Sequence, residues 1–366
     1  MTIEFIWQLP TAGDGRYGEA ARTRRGERDA LSGSPYSDGV SDPRGRRFNY
    51  YDYLHQVARA ADLSGFDGVR ISHDLQGEEA WIVAGYVARG TRRIKLVTEF
   101  EAAWGSAVYA AKNAASFQRF TGGRLAWQIA PGGAAEERRR HADYAEDADV
   151  LPRIDEFLTV ARGVLTTAPF NFKGKFFEVG EGGFRGTLAN NPVPRVYLSG
   201  TSDEALALSA RQADVHVLDA APPEVLREQA ARLTALAAAA GRQVAIGLRI
   251  NVLARETEAE AQRDSAIYRS QSIGPDASAA PVAASGSAAT ASASAAGSAV
   301  PAAIAADATL VGSFEQVTDR LAEYVAAGVS SFLLSAVPHL EEAYRFGENV
   351  LPALRERLAA AERQAA

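Results

Sequence analysis

The chain has 366 residues, 47% of them hydrophobic, with 39 Lys and Arg against 45 Asp and Glu and a formal net charge of −6. No basic block is dense enough for a nucleic-acid footprint; Arg22, Arg24, Arg25 and Arg28 are diluted by Gly, Asp and Glu and read as a solvated loop. With no cysteine, disulfides, thiolate nucleophiles and Cys-ligated metals are excluded.

Residues 1–10 carry no basic n-region and no cleavage-site pattern. No long uncharged apolar run occurs outside an Ala/Ser-rich stretch near the end of the chain. The expectation is a cytoplasmic protein with no membrane segment.

Short apolar runs alternate with amphipathic stretches. Strands are predicted at Ile3–Leu9, Gly68–Ser72, Ile94–Phe100, Arg124–Ala130, Pro194–Leu198, Asp214–Leu218, Gln243–Ala254 and Ser331–Ala336. Helices are predicted at Tyr50–Leu63, Glu78–Ala88, Ser106–Phe120, Leu151–Thr166, Ser202–Gln212, Glu224–Ala240 and from His339 onward. Such alternation implies parallel strands, because parallel neighbours need a crossover. Eight strands predict closure into an α/β (β/α)₈ TIM barrel with insertions, a single domain over residues 1–366. The open doubly wound rival lacks its fingerprint, since Leu9 leads into Pro-Thr-Ala-Gly-Asp-Gly rather than a glycine-rich helix start.

Three segments break the alternation. Residues 11–49 form a polar loop, and Phe170–Gly183 alternates like a β-hairpin. Residues 277–306, within an insertion at about 270–308, are nearly all Ala, Ser, Gly and Pro, too little bulky apolar surface to offset ordering entropy. This insertion is expected to be a mobile cover.

In a barrel the chemistry sits where strands end. His73 and Asp74 end strand two, Glu99 and Glu101 strand three, and Gln128 lies near the end of strand four beside Pro131-Gly132-Gly133. Ser199-Gly200-Thr201-Ser202 follows strand five and opens a helix, where glycine, hydroxyls and free amides can hold a phosphate. A ligand-free N-cap explains the same residues. Arg249 and Asn251 share one face of strand seven. If that face is inward, Arg249 needs a partner: a carboxylate such as Glu99 or Glu101, or an anionic group on cofactor or substrate. None of His55, His73, His141, His216 and His339 has a second histidine at ligand spacing, so no metal is expected. Neither G-x-S-x-G nor a Walker A pattern occurs.

The opening Phe5-Ile6-Trp7-Gln8-Leu9-Pro10-Thr11-Ala12-Gly13-Asp14-Gly15-Arg16-Tyr17 resembles that of two-component alkanesulfonate monooxygenases, within the bacterial-luciferase-like superfamily. Glu78-Glu79-Ala80-Trp81, Ser199–Ser202, Gly247-Leu248-Arg249 and Pro338-His339-Leu340-Glu341-Glu342-Ala343-Tyr344-Arg345 continue the resemblance in order. It implies reduced FMN (FMNH₂) delivered by a separate NAD(P)H-dependent flavin reductase, O₂ activation at the flavin, and a small organic, possibly organosulfur, substrate. A homo-oligomer, with neither nucleic acid nor membrane as partner, completes that expectation. Arg249, Asn251 and His73 are the expected catalytic positions; Gln128, Ser199, Gly200, Thr201 and Ser202 are the expected flavin contacts. The sequence departs from the alkanesulfonate enzymes at Gly77, Asn251 and Val337, where they carry Cys, His and Tyr, and lacks their His-x-x-Arg-Tyr near residues 147–151. The alternatives are a deazaflavin-dependent dehydrogenase on the same scaffold and a flavin-binding, non-catalytic relative.

Overall fold

The computed structural model describes residues 3–12, 50–75, 77–271, 282–283 and 309–365. The expected polar loop over residues 11–49 lies outside the described residues apart from its first two, and the expected cover at 277–306 lies outside them except for 282–283.

In chain order the elements are β1 (Glu4–Leu9), α1 (Tyr50–Leu63), β2 (Gly68–Ile71), α2 (Ala80–Gly90), β3 (Lys95–Glu101), α3 (Ala107–Thr121), β4 (Leu125–Ala130), α4 (Ala135–Arg140) and α5 (Asp147–Thr166). A hairpin follows, β5 (Phe170–Lys173) with β6 (Glu178–Gly182), then β7 (Arg195–Ser199), α6 (Asp203–Gln212), β8 (Val215–Asp219), α7 (Pro223–Ala239) and β9 (Ala245–Arg255). The chain ends with α8 (Glu258–Gln271), β10 (Val282–Ala283), β11 (Thr309–Ser313), α9 (Phe314–Ala326), β12 (Val329–Ser335), α10 (His339–Asn349) and α11 (Leu351–Ala365).

Strands β9, β12, β1, β2, β3, β4, β7 and β8 pair in that order, all parallel, and β8 pairs back to β9. The result is the closed eight-stranded barrel that the alternation predicts. The Phe170–Gly183 excursion is the antiparallel β5–β6 hairpin.

Helices α4, α8 and α9 and strand β11 add to the elements expected from the sequence. Strand β11 pairs with the last five residues of the long strand β9, Thr309 against Asn251 through Ser313 against Arg255. It therefore branches from the barrel above its rim, along the edge of β9 that β8 leaves after Asp219 pairs with Arg249.

Strand alternation divides the core. Leu248, Ile250 and Val252 of β9, with Trp127 and Ile129 of β4, pack outward against the helices. Ile6, Val97, Ala126, Tyr197, Val215, Val217 and Leu333 fill the barrel.

At the amino-terminal end of the strands, buried Glu4 accepts from Lys95 Nζ (2.5 Å), Tyr197 Oη (2.6 Å) and Ser331 Oγ (3.0 Å), with Arg195 3.6 Å away. Burial works against its charge, but the bonds from Lys95 and Tyr197 and the charges of Lys95 and Arg195 outweigh that, so its pKa is lowered. This polar plug closes the bottom.

The stretch Pro338–Arg345 is also explained by packing. Glu342 of α10 is buried against Arg255, whose Nη1 lies 3.1 Å away and whose Nε binds Asp264 at 2.6 Å. Trp7 Nε1 donates to the His339 carbonyl at 3.1 Å. The motif that carries much of the resemblance thus clasps α10 to β1, β9 and α8.

Candidate functional site

The carboxyl ends of the barrel strands gather a layered polar site. Its lower layer centres on Arg70 of β2, which is buried and points inward between three strands. Its Nε donates to Gln128 Oε1 (2.8 Å), Nη1 to Gln8 Oε1 (2.8 Å) and Nη2 to Glu99 Oε2 (2.7 Å). A guanidinium in the interior is tolerable because three acceptors and one negative charge replace its water. The same Glu99 oxygen accepts the backbone N–H of His73 at 2.9 Å. Arg70 therefore fixes Glu99, and Glu99 fixes the turn that carries His73.

Above this layer, His73 Nε2 lies 3.1 Å from Glu101 Oε1, and Trp104 sets its ring edge-on to His73 at 4.3 Å. Burial disfavours protonation of His73, but the bond and charge of Glu101, with the charges of Glu99 and Asp74, outweigh it and raise its pKa. His141, the residue after α4, completes the group: its ring lies 5.1 Å from Trp104 and 6.2 Å from His73, and Nδ1 is 3.9 Å from Glu101 Oε1. The loop from β4 approaches this group at Gly132, which sits at φ +82°, where a Cβ would come within 3.1 Å of Glu101 Oε2 and Arg138 Cδ.

Ser199 to Ser202 link β7 to α6. Ser202 caps α6, its Oγ accepting from Ala205 N–H at 3.2 Å. Gly200 sits at φ +126°, and a Cβ there would lie 2.8 Å from Ala205 Cβ. Only glycine lets this loop fold so tightly onto the helix start. His216 of β8 lies beneath, Nδ1 2.8 Å from Ser209 Oγ. Burial pushes its pKa down to about 4, against a smaller opposing effect of the Gly200 backbone.

Arg249 faces inward as the two-residue period requires: Leu248 and Ile250 pack against the helices, while Arg249 is in register with Leu333, a barrel-filling residue. Its partner differs from the carboxylates expected. Glu99 is held by Arg70 and Glu101 by His73, and Arg249 pairs instead with Asp219 at the end of the adjacent strand β8, Nε and Nη2 at 2.8 and 2.7 Å. The carboxylate comes from the register neighbour β8 rather than from β3. With its side chain 42% exposed, Arg249 stands at the rim. Asn251 lies beyond it, half-buried, between Ser335 of β12 and Thr309 of β11 in register.

Gln128, expected beside a flat ligand, is 1% exposed, with its oxygen on Arg70. It belongs to the floor of the mouth. Gly77 has a packing reason: a Cβ there would meet the Thr11 backbone at 3.1 Å and Asp74 Cβ at 3.0 Å. The following acidic pair is structural, since Glu78 accepts from Tyr51 Oη at 2.8 Å and Glu79 caps α2 through Ile82 N–H at 2.9 Å.

His141 and Trp104 were missed by the sequence reading. The available signal was position: each lies in the segment that follows a barrel strand, where mouth residues originate.

The family model of luciferase-like monooxygenases matches residues 17–331. Among solved structures, the EDTA monooxygenase from Chelativorans sp. BNC1 superposes with a TM-score of 0.73 at 16% identity, over 98% of this chain and 94% of that one. A riboflavin lyase bound to modified FMN and riboflavin gives 0.72 at 16% identity, over 98% and 92%. An F420-dependent secondary alcohol dehydrogenase gives 0.65 at 15% identity, over 97% and 99%. At such identities the likeness speaks for the fold alone. No described helix is long and apolar enough to cross a membrane.

Proposed function

Because the chain belongs to the luciferase-like monooxygenase family of flavin-dependent enzymes, we propose that it binds reduced FMN at the barrel mouth and uses O₂ to oxidise a small organic substrate, organosulfur compounds included. The observation that carries this reading is the Ser199–Ser202 loop at a strand end. Gly200 lets the loop fold onto α6, and Thr201 and Ser202 are exposed beside the amides of the helix start. This suits an anionic phosphate. Of the two acidic residues in the first turn of α6, Asp203 and Glu204, the first is paired with Arg232.

Reduced FMN, when bound, would supply two of the four electrons that O₂ takes up in a monooxygenation, the substrate giving the other two. The chain's residues do the rest. Ser199, Gly200, Thr201 and Ser202 hold the phosphate, and Gln128 and Arg70 form a floor of fixed dipoles under the ring. His73 stands against Glu101 at the upper layer, 3.1 Å from its carboxylate. Arg249 presents a cation at the rim for an acidic substrate group, and Asn251 offers an amide next to it. A separate NAD(P)H-dependent flavin reductase supplies the reduced flavin. The reading includes a single domain working in the cytoplasm and self-association through exposed Ile82 of α2 and Tyr109 and Phe120 of α3.

Anaerobic titration with reduced FMN in parallel with reduced deazaflavin tests the proposal. Tighter binding of FMN, followed by substrate-dependent O₂ uptake, is the expected result. Binding of deazaflavin alone would instead assign a dehydrogenase on this scaffold, and flavin binding without O₂ uptake across substrate classes a non-catalytic relative.

A further inference from the structure

His141 presents a problem of satisfaction. Its side chain is 6% exposed, and neither Nδ1 nor Nε2 has a hydrogen-bond partner among the described residues. A buried imidazole with both nitrogens unpaired is costly, and a ligand is one of the few explanations for it. The atoms that it faces name the ligand. One nitrogen of His73, one of His141 and a carboxylate oxygen of Glu101 all lie within 4.8 Å of one another, a grouping found once among the described residues.

We propose that His73, Glu101 and His141 bind one divalent transition-metal ion of the zinc, cobalt or nickel class. Two imidazoles and one carboxylate are a donor set suited to such ions and not to magnesium or calcium, which prefer oxygen shells. Three protein ligands leave coordination positions open to water or to an oxygen-bearing substrate group. The separations of 3.1 Å and 3.9 Å from Glu101 Oε1 to the two rings are close to donor spacings around a small ion, and all three donors lie within 4.8 Å of one another.

Local charge permits a cation. Arg153 and Arg138 lie near Glu101, yet each has its own carboxylate: Arg153 binds Asp143 through two nitrogens at 2.8 and 2.6 Å, and Arg138 binds Asp147 at 2.5 Å. The site also has outer support of the kind that metal ligands use. The Arg70–Glu99 pair holds the His73 backbone, and Trp104 lies against both imidazoles. Spacing along the chain hid the site, because its ligands come from the ends of β2 and β3 and from the residue that follows α4.

The test uses full-length, untagged, chelator-treated protein without flavin, titrated with Co²⁺ and followed by visible d–d absorbance, then challenged with Zn²⁺. Expected are one Co²⁺ per chain, displacement by Zn²⁺, and affinity weakened by roughly 10–100-fold or more in His141→Asn and in Glu101→Gln. His55→Asn, on α1, should bind as the wild type does. X-ray absorption of the wild-type Co²⁺ form should show an N/O shell with two imidazoles, a measurement that stands even where a variant misfolds. Absence of the d–d band, unchanged affinity in both variants, or a shell without imidazole overturns the site. Reduced-FMN affinity is measured separately. Flavin binding without Co²⁺ binding sinks only this site, and Co²⁺ binding without flavin binding sinks only the flavin reading.

Discussion

The two ends of the barrel each bury a charge, with opposite polarity. At the bottom the buried group is an anion, Glu4, whose cations Lys95 and Arg195 reach water with side chains 46% and 41% exposed. At the top it is a cation, Arg70, with both it and its counter-ion Glu99 sealed. A plug needs only to be closed and satisfied. A sealed cation is a poor way to gain stability, and its retention at the mouth makes sense because it holds Glu99, and through it His73, in place.

The comparison predicts unequal costs. Glu99→Gln leaves the Arg70 guanidinium buried without a counter-charge and should lower unfolding free energy by about 3–5 kcal/mol. Glu4→Gln strands no buried cation, because Lys95 and Arg195 can turn to solvent, and should cost about 1.5–3 kcal/mol from weakened charge-assisted bonds. Urea unfolding of both variants checks the order. A larger loss in Glu4→Gln would reverse the argument.

The wall between the ends is probed by pH. The pKa of His216 is lowered to about 4 in the fold from an ordinary 6.5, so the unfolded chain takes up its proton first. The stability that neutral His216 represents is full above pH 6.5 and is lost as pH falls toward 4, up to about 3 kcal/mol. Unfolding free energies at a series of pH values should show this loss in wild type and less of it in His216→Gln. Equal slopes would remove His216 as the cause.

A smaller effect is expected at the phosphate loop. Thr201→Ala with Ser202→Ala should weaken reduced-FMN binding by roughly 1–3 kcal/mol. Loss of the Ser202 cap should cost about 1 kcal/mol of stability. Unchanged affinity in the double variant would leave the loop as a helix cap and nothing more.

The elements legible in the sequence were those whose physics is local. The eight barrel strands are apolar runs, such as Val196-Tyr197-Leu198 and Phe332-Leu333-Leu334, buried on both faces. Strand β11 was missed because Thr309-Leu310-Val311-Gly312-Ser313 is short and adjoins the Ala/Ser stretch, and its pairing with β9 is long-range. Helix α4 was missed because Ala-Glu-Glu-Arg-Arg-Arg has no apolar face. Ser202 and His73 were found as strand-end residues. The Arg70 hub was not, since one arginine among the apolar residues of β2 declares no partner until four strands close around it. Arg249 shows the same limit: alternation put it on one face with Asn251, but its partner depends on register with β8.

Arg249 gives the sharpest separation of structure from function, with the smallest expected effect on folding. Its bond to Asp219 joins a half-exposed arginine to a carboxylate 66% exposed, and such pairs contribute about 0–1 kcal/mol. Arg249→Lys keeps the charge and can still reach Asp219, so the melting temperature should hardly move. The guanidinium presents a planar fork that an ammonium does not reproduce. If Arg249 leaves Asp219 to meet an acidic group on the substrate, the lysine variant should bind reduced FMN normally yet lose most of its turnover. Asp219→Asn should be milder, because it frees the arginine rather than removing it. Arg249→Met should abolish turnover on acidic substrates and spare uncharged ones. A folded Arg249→Met that binds reduced FMN and oxidises an acidic substrate at the wild-type rate would reduce Arg249 to a rim ion pair with Asp219.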